Sequence, residues 1–292
     1  MEVVAIHALN ALLYSSVLFL IAGGLSLIYG VMRILNLAHG NLYALGAFVS
    51  AWTIGLAVNA NAPAAVLFLL LPTGAIAAAA AGAVIERTLM RPLYKRPEEY
   101  QLLMTFGLLM ILEDLIRFIW GPSPLTATAV YAGVGSIPIG DGRYPGYNIV
   151  IIAVGIVAAI FLWLFIYRTR FGVLLRATSQ DKRMASALGV NVNRVYIQAF
   201  TLGCFMAGLG GAIVVPSQSA VLGMGVDALV LAFIVIVVGG LGSLEGALAG
   251  ALIVGVVREA FITFFPEVEL AVLYLIAALV LLVRPAGLFG RA

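Results

Sequence analysis

From Ala8 to Tyr29 the chain carries no charged side chain. A helix rises 1.5 Å per residue, so about 20 consecutive apolar residues cross the ~30 Å hydrocarbon core of a bilayer. Such runs recur, and the candidate spans are 7–31, 38–58, 63–85, 101–120, 148–167, 196–215, 227–240, 243–264 and 267–284. The chain is 63% hydrophobic and only 10% charged, against about 25% charged in soluble domains. So few charges cannot cover a water-facing surface. A β-barrel would show short segments of alternating polarity, whereas these runs are continuous. The 32 glycines suit helices that pack closely in lipid. The expected fold is an all-α integral membrane protein, a polytopic helical bundle of about eight to ten transmembrane helices, some of them interrupted. It is expected to form a single domain over residues 1–292. Met1-Glu2 has no basic leader, and the run behind it is too long for a cleaved signal, so the first span is expected to be kept.

Lys and Arg set the expected orientation. The 86–97 loop holds Arg87, Arg91, Lys95 and Arg96, and the 168–195 loop holds Arg168, Arg170, Arg176, Lys182, Arg183 and Arg194. The Gly- and Pro-containing loop between them, 121–147, has only Arg143. Two spans separate the basic loops, so both can lie on one side, which the positive-inside rule makes cytoplasmic. Counting back puts the N-terminus outside. Counting forward puts the C-terminus, with Arg284 and Arg291, inside if 227–284 crosses three times, which makes nine crossings.

The chemistry the chain can carry is narrow. Neither Lys95 nor Lys182 completes the G-x-x-x-x-G-K-[ST] phosphate loop, so no nucleotide hydrolysis is expected of it. No His/Cys/Asp cluster has metal spacing, and no nucleophile, base and acid stand together. Cys204 is the single cysteine, so a disulfide within the chain is impossible. The net charge of +3 gives no ground for a nucleic-acid partner, since in a membrane protein the placement of charge matters more than its sum.

Several polar positions inside or beside the spans remain. Glu113, Asp114 and Arg117 lie in the fourth span, where Glu113 and Arg117 are spaced to pair on one helix face. They are either an ion pair near the outer headgroups or a substrate contact. Arg258 and Glu259 read the same way. In "NLAHG", Asn36 is placed to cap the next helix, with His39 and Gly40 in its first turn. At membrane depth such a terminus favours an anionic group; at the surface it is a connector. "VVPSQSAVLGMGVD", from Val214 to Asp227, breaks a helix at Pro216 and follows with Ser217 and Gln218. It is either a plain outer loop or a break lining a path. "LAHGNL" (37–42) and "SLEGAL" (243–248, with Glu245) form a weak internal echo, as interrupted helices do in transporters.

The most polar stretch is "RATSQDKRMASALGVNVNRV", Arg176 to Val195. A short helix is expected from about Gln180 to Leu188, with Asp181 in its first turn. Met184, Ala187 and Leu188 make one apolar face, and Gly189 suits the position that ends a helix. Two turns are not stable alone, so the face needs either a partner's groove or a membrane surface, where the basic residues would meet lipid headgroups.

"GLSLIYGVMRILNLAHGNLYALGAF" (24–48), "RATSQDKRMASALGVNVNRVYIQAFTLGCFMAGLGGAI" (176–213), "VVGGLGSLEGALAGALIVG" (237–255) and "RPAGLFG" (284–290) occur in this order. Together they resemble the ABC permeases for branched-chain amino acids, the leucine/isoleucine/valine type, in the smaller of the two membrane subunits. The resemblance implies an importer in a bacterial or archaeal cytoplasmic membrane. It implies a second homologous permease subunit, forming a heterodimer. It also implies two separate ATPase subunits that carry ATP and Mg, and an external substrate-binding protein. The chain itself would bind no cofactor. Relatives of this type also serve urea, short amides and aromatic carboxylates. The resemblance further implies that Ala185 to Gly189 belong to the helix that couples to the ATPase. An autonomous channel or ion-coupled carrier is the contrasting reading; it would place acids deep in the bundle.

Overall fold

Each uncharged run becomes a helix, because a backbone in lipid must satisfy its own hydrogen bonds. A computed structural model describes residues 2–140 and 142–290; Met1, Asp141, Arg291 and Ala292 lie outside them. The elements are α1 (Glu2–Met32), α2 (His39–Asn59), α3 (Ala64–Leu70), α4 (Pro72–Ile85), α5 (Glu98–Trp120), α6 (Thr128–Val134), β1 (Ser136–Ile139), β2 (Gly142–Pro145), α7 (Gly146–Arg168), α8 (Arg170–Gln180), α9 (Lys182–Ala187), α10 (Val192–Val214), α11 (Met224–Gly239), α12 (Leu244–Phe264) and α13 (Glu269–Val283). Among the described residues, seven helices are long and apolar enough to cross a membrane. Two more stand apart from these: α11 is apolar but short, and α5 carries Glu113, Asp114 and Arg117. The fold is an all-α polytopic bundle.

Three elements depart from the expected pattern. The 63–85 span starts as two helices split at Leu71, where Pro72 opens α4, a place where its missing N–H costs nothing. It continues through a π turn, Glu86–Met90, and a 3-10 turn, Arg91–Leu93. The 121–147 loop contains α6 and an antiparallel hairpin of β1 and β2. Ile137, Ile139 and Tyr144 are the residues of this short ladder with high strand propensity. The basic 168–195 loop holds two helices, α8 and α9.

The core is assembled around α1 and α10. Helix α1 packs on α7, α10, α11 and α12, and α10 packs on α2 and α4. Small residues permit the approach: a Cβ at Gly46 would fall on the backbone of Gly208 in α10. Helices α5 and α13 lie at the periphery, with many outward apolar side chains.

Helix α2 does not start at the membrane surface. After α1 the chain turns at Arg33, with φ 58°, and runs back alongside the bundle. The Thr105 hydroxyl of α5 donates to the Leu35 carbonyl at 3.2 Å. His39 Nε2 then donates to the carbonyl of Ile21, well inside α1, at 3.1 Å. Helix α11 starts at the same depth. Gly225 lies against Gly40 so closely that a Cβ on either would fall on the other's carbonyl. The segments leading to both starts are irregular backbone inside the bundle, tolerated where protein surrounds them.

The two helices of the expected echo start at different depths. Ser243 caps α12, its hydroxyl accepting from Gly246 N at 3.0 Å, and the turn before it lies against Gly30 near the end of α1. The structural counterpart of the α2 start is therefore the α11 start.

Candidate functional site

The basic loops converge at one end of the bundle. Arg33, Lys95, Arg96, Lys182 and Arg183 border one cleft there, and Arg87, Arg91 and Arg194 border another. Helix α9 sits at this end. Asp181 is its N-cap and precedes the first turn in which it was expected: its carboxylate accepts from Arg183 N at 2.8 Å and Met184 N at 3.0 Å. These two backbone donors, Met184 foremost, hold the Asp181 carboxyl below its ordinary value of 3.8. At the other end of α9, Gly189 takes φ +86°. Gly189 N donates to Ser186 O and Val190 N to Ala185 O, each at 3.0 Å, the Schellman pattern. Ala185 is the inward anchor at 3% exposure, while Met184 and Leu188 are 59% and 78% exposed. Ala187 is exposed too. The apolar face of α9 thus points away from the bundle.

A second group lies at the α2 start. Asn36, His39 and Asn41 are fully buried. Asn36 does not cap α2: the N-cap is Ala38, without a side-chain bond, and the Asn36 amide makes no hydrogen bond among the described residues. The Ile21 carbonyl can only accept, so His39 Nε2 carries the hydrogen, which leaves Nδ1 without a partner. Asn41 donates to Leu109 O at 2.6 Å, leaving its Oδ1 bare. Gly40 serves close packing against α11.

Glu113 does not pair with Arg117. Its Oε1 accepts from Gly223 N at 2.7 Å, just before α11, so the carboxylate holds down the approach to an interrupted helix. Asp114 and Arg117 face outward. Arg258 and Glu259 also part company. Arg258 Nε donates to Glu269 Oε1 at 2.6 Å. Glu259 accepts from Asn10 at 3.1 Å and lies 2.8 Å from His7 Nδ1. Glu245 is exposed in the first turn of α12, apart from the other candidate path residues.

Ser217 and Gln218 line a cavity of about 270 Å³. It lies between α1, α2, α7, α10, α11 and α12, with Ile21 and Tyr43 bringing it next to the α2 start. Asp227, Arg258 and Tyr14 also line it. Sequence reasoning missed Asp227, whose visible signal was an acid at the very start of the 227–240 apolar run. It also missed Glu86, fully buried on the π turn, where Tyr94 Oη donates to it at 2.5 Å.

These features define a multi-pass membrane protein whose interrupted helices start inside the bundle. The sequence model of the family described as "Branched-chain amino acid transport system / permease component" matches residues 7–283. The high-affinity branched-chain amino acid transport system permease protein LivH of Salmonella typhimurium is 31% identical, over 97% of this chain and 94% of its own length. The corresponding protein BraD of Pseudomonas aeruginosa is 30% identical over the same shares. A solved structure, PsaBC from Streptococcus pneumoniae in complex with Fab, superposes with a TM-score of 0.50 at 16% identity. It covers 94% of this chain and 89% of its own, a likeness of fold alone. The chain belongs to the branched-chain amino acid permease family.

Proposed function

We propose that this chain is the membrane-spanning subunit of an ATP-binding-cassette importer for branched-chain amino acids, working by alternating access. ATP and Mg are handled by two partner ATPase subunits, an external binding protein delivers substrate, and a second homologous permease subunit completes the membrane unit. The end bearing the basic loops and α9 faces the cytoplasm of the inner membrane, with the N-terminus outside and the C-terminus inside. The clustering of Lys and Arg at that end supports this orientation.

The observation that carries the coupling assignment is the outward apolar face of α9. A six-residue helix is too short to be stable alone. Here it is capped at both ends and anchored by Ala185, yet it leaves Met184 and Leu188 largely exposed. Such a preformed, rigid apolar knob fits a groove on an ATPase. Leu188→Arg is expected to weaken co-purification with the cognate ATPase by about tenfold or more, as loss of a central apolar anchor does. Membrane insertion should be unchanged. Normal ATPase association in that variant removes the assignment, and loss of lipid-vesicle binding in its place identifies α9 as a membrane-surface helix.

A further inference from the structure

The cavity beside the interrupted helices holds two opposite charges that do not meet. Asp227 and Arg258 both line it, yet no ion pair joins them. Asp227 stands exposed in the first turn of α11, at the positive end of the helix dipole. Its carboxylate makes no hydrogen bond or ion pair among the described residues. Arg258 is fixed in place from two sides: Nε donates to Glu269 at 2.6 Å, and the guanidinium lies 4.8 Å from the Tyr14 ring centroid. Its two Nη groups make no hydrogen bond among the described residues, so one fork of the guanidinium is left for a planar oxyanion. Leu18, Ile21, Ile151 and Leu231 give the cavity an apolar side, beside the polar Ser217 and Gln218. The volume of about 270 Å³ lies at the lower edge of the ~300–1,000 Å³ typical of small-molecule pockets. Ionisable side chains lining a cavity within a membrane bundle mark a substrate or ion path more often than a structural accident.

We propose that this cavity is a binding station for a small aliphatic zwitterion. Arg258 receives the carboxylate, Asp227 the ammonium, and the apolar wall the side chain. The proposal rests on the chain being an amino acid permease, and it places recognition of the substrate inside this chain as well as on an external protein. Neutral solutes such as urea leave both charges unmatched, and a simple carboxylate leaves Asp227 unmatched. Both are rejected at a cost set by the unpaired group.

The test is equilibrium binding of radiolabelled L-leucine to the full chain in lipid nanodiscs. Saturable binding is expected, competed by L-valine but not by isocaproate or isoamylamine, which lack the ammonium and the carboxylate respectively. Asp227→Asn and Arg258→Gln should each weaken leucine binding on the order of tenfold to a hundredfold, and Asp227→Asn should leave the thermal melting profile unchanged. Leucinamide, which has no carboxylate, should compete weakly in the wild type and no more weakly in Arg258→Gln. That pattern separates a ligand contact from a loss of packing around Glu269 and Tyr14. Leu231→Trp, which fills the cavity and removes neither charge, should also abolish binding. Absence of saturable binding, binding unchanged by Asp227→Asn, or equal competition by isocaproate overturns the proposal. If the assembled transporter still takes up leucine on ATP addition, the permease reading survives that failure. If the assembled transporter takes up no amino acid, that reading falls with it.

Discussion

At Gly40 a single missing methyl group decides how two helices meet. The α2 start reaches the α11 start because neither Gly40 nor Gly225 has a Cβ. Gly55, on the same helix, has open space around it. Gly40→Ala is expected to cost about 1–3 kcal/mol by overpacking and to impair transport. Gly55→Ala should be neutral or slightly stabilising. Thermal unfolding of the purified variants in detergent separates the two, and equal melting temperatures would mean that the helices separate without cost. Gly40 stood out in the sequence only as part of "NLAHG", a candidate anion-binding helix start, and not as a packing contact. Asn36 shows the reverse case. Its sequence context suggested a cap, but the chain is back inside the bundle before α2 begins at His39, and the amide ends up buried and unpaired.

At the scale of one element, α9 contains its own pH response. The Asp181 carboxylate caps the helix through Met184 N and Arg183 N, and these bonds depress its folded-state titration below 3.8. A depressed acid contributes stability above its unfolded value and loses it as pH falls through the folded one. Amide protection of α9 should therefore be intact at neutral pH and decline only below about pH 4. Asp181→Asn, also a good cap, should keep the protection and remove its pH dependence. Hydrogen exchange with mass spectrometry reads both; wild-type protection with the same pH dependence as Asp181→Asn would show that the carboxylate does not hold the helix. A short helix with an apolar face could be read from residues 180–189, because i, i+3, i+4 spacing is a local property. It was expected from Gln180 to Leu188, whereas Gln180 ends α8 and α9 spans only Lys182–Ala187 between the caps Asp181 and Leu188. That Ala185 turns inward while Met184 and Leu188 turn out required the packing of the loop on the bundle.

For the whole molecule the decisive prediction is sidedness. Cys204 is the only cysteine and is buried, so Cys204→Ala gives a background without reactive thiols. In that background Ile137→Cys, on the exposed hairpin, should react with a membrane-impermeant maleimide from outside intact cells. Met184→Cys, on α9, should react only in inside-out vesicles. Reaction of both from one side would reject the orientation. Membrane residence, the approximate positions of the spans and the segregation of Lys and Arg could all be read from the chain, because hydropathy and charge act over windows no longer than a span. Four motif blocks placed it in its family by the same local evidence.

What the chain alone could not show is depth and company. Only the folded bundle puts the α2 start beside Ile21, turns Glu113 from Arg117 to Gly223, and separates Arg258 from its neighbour Glu259. It alone brings Asp227 and Arg258 to one cavity from different helices. The physical reason is the same in each case: a buried polar group takes the partner that packing supplies across the bundle, and spacing along one helix lists only the partners it could have had.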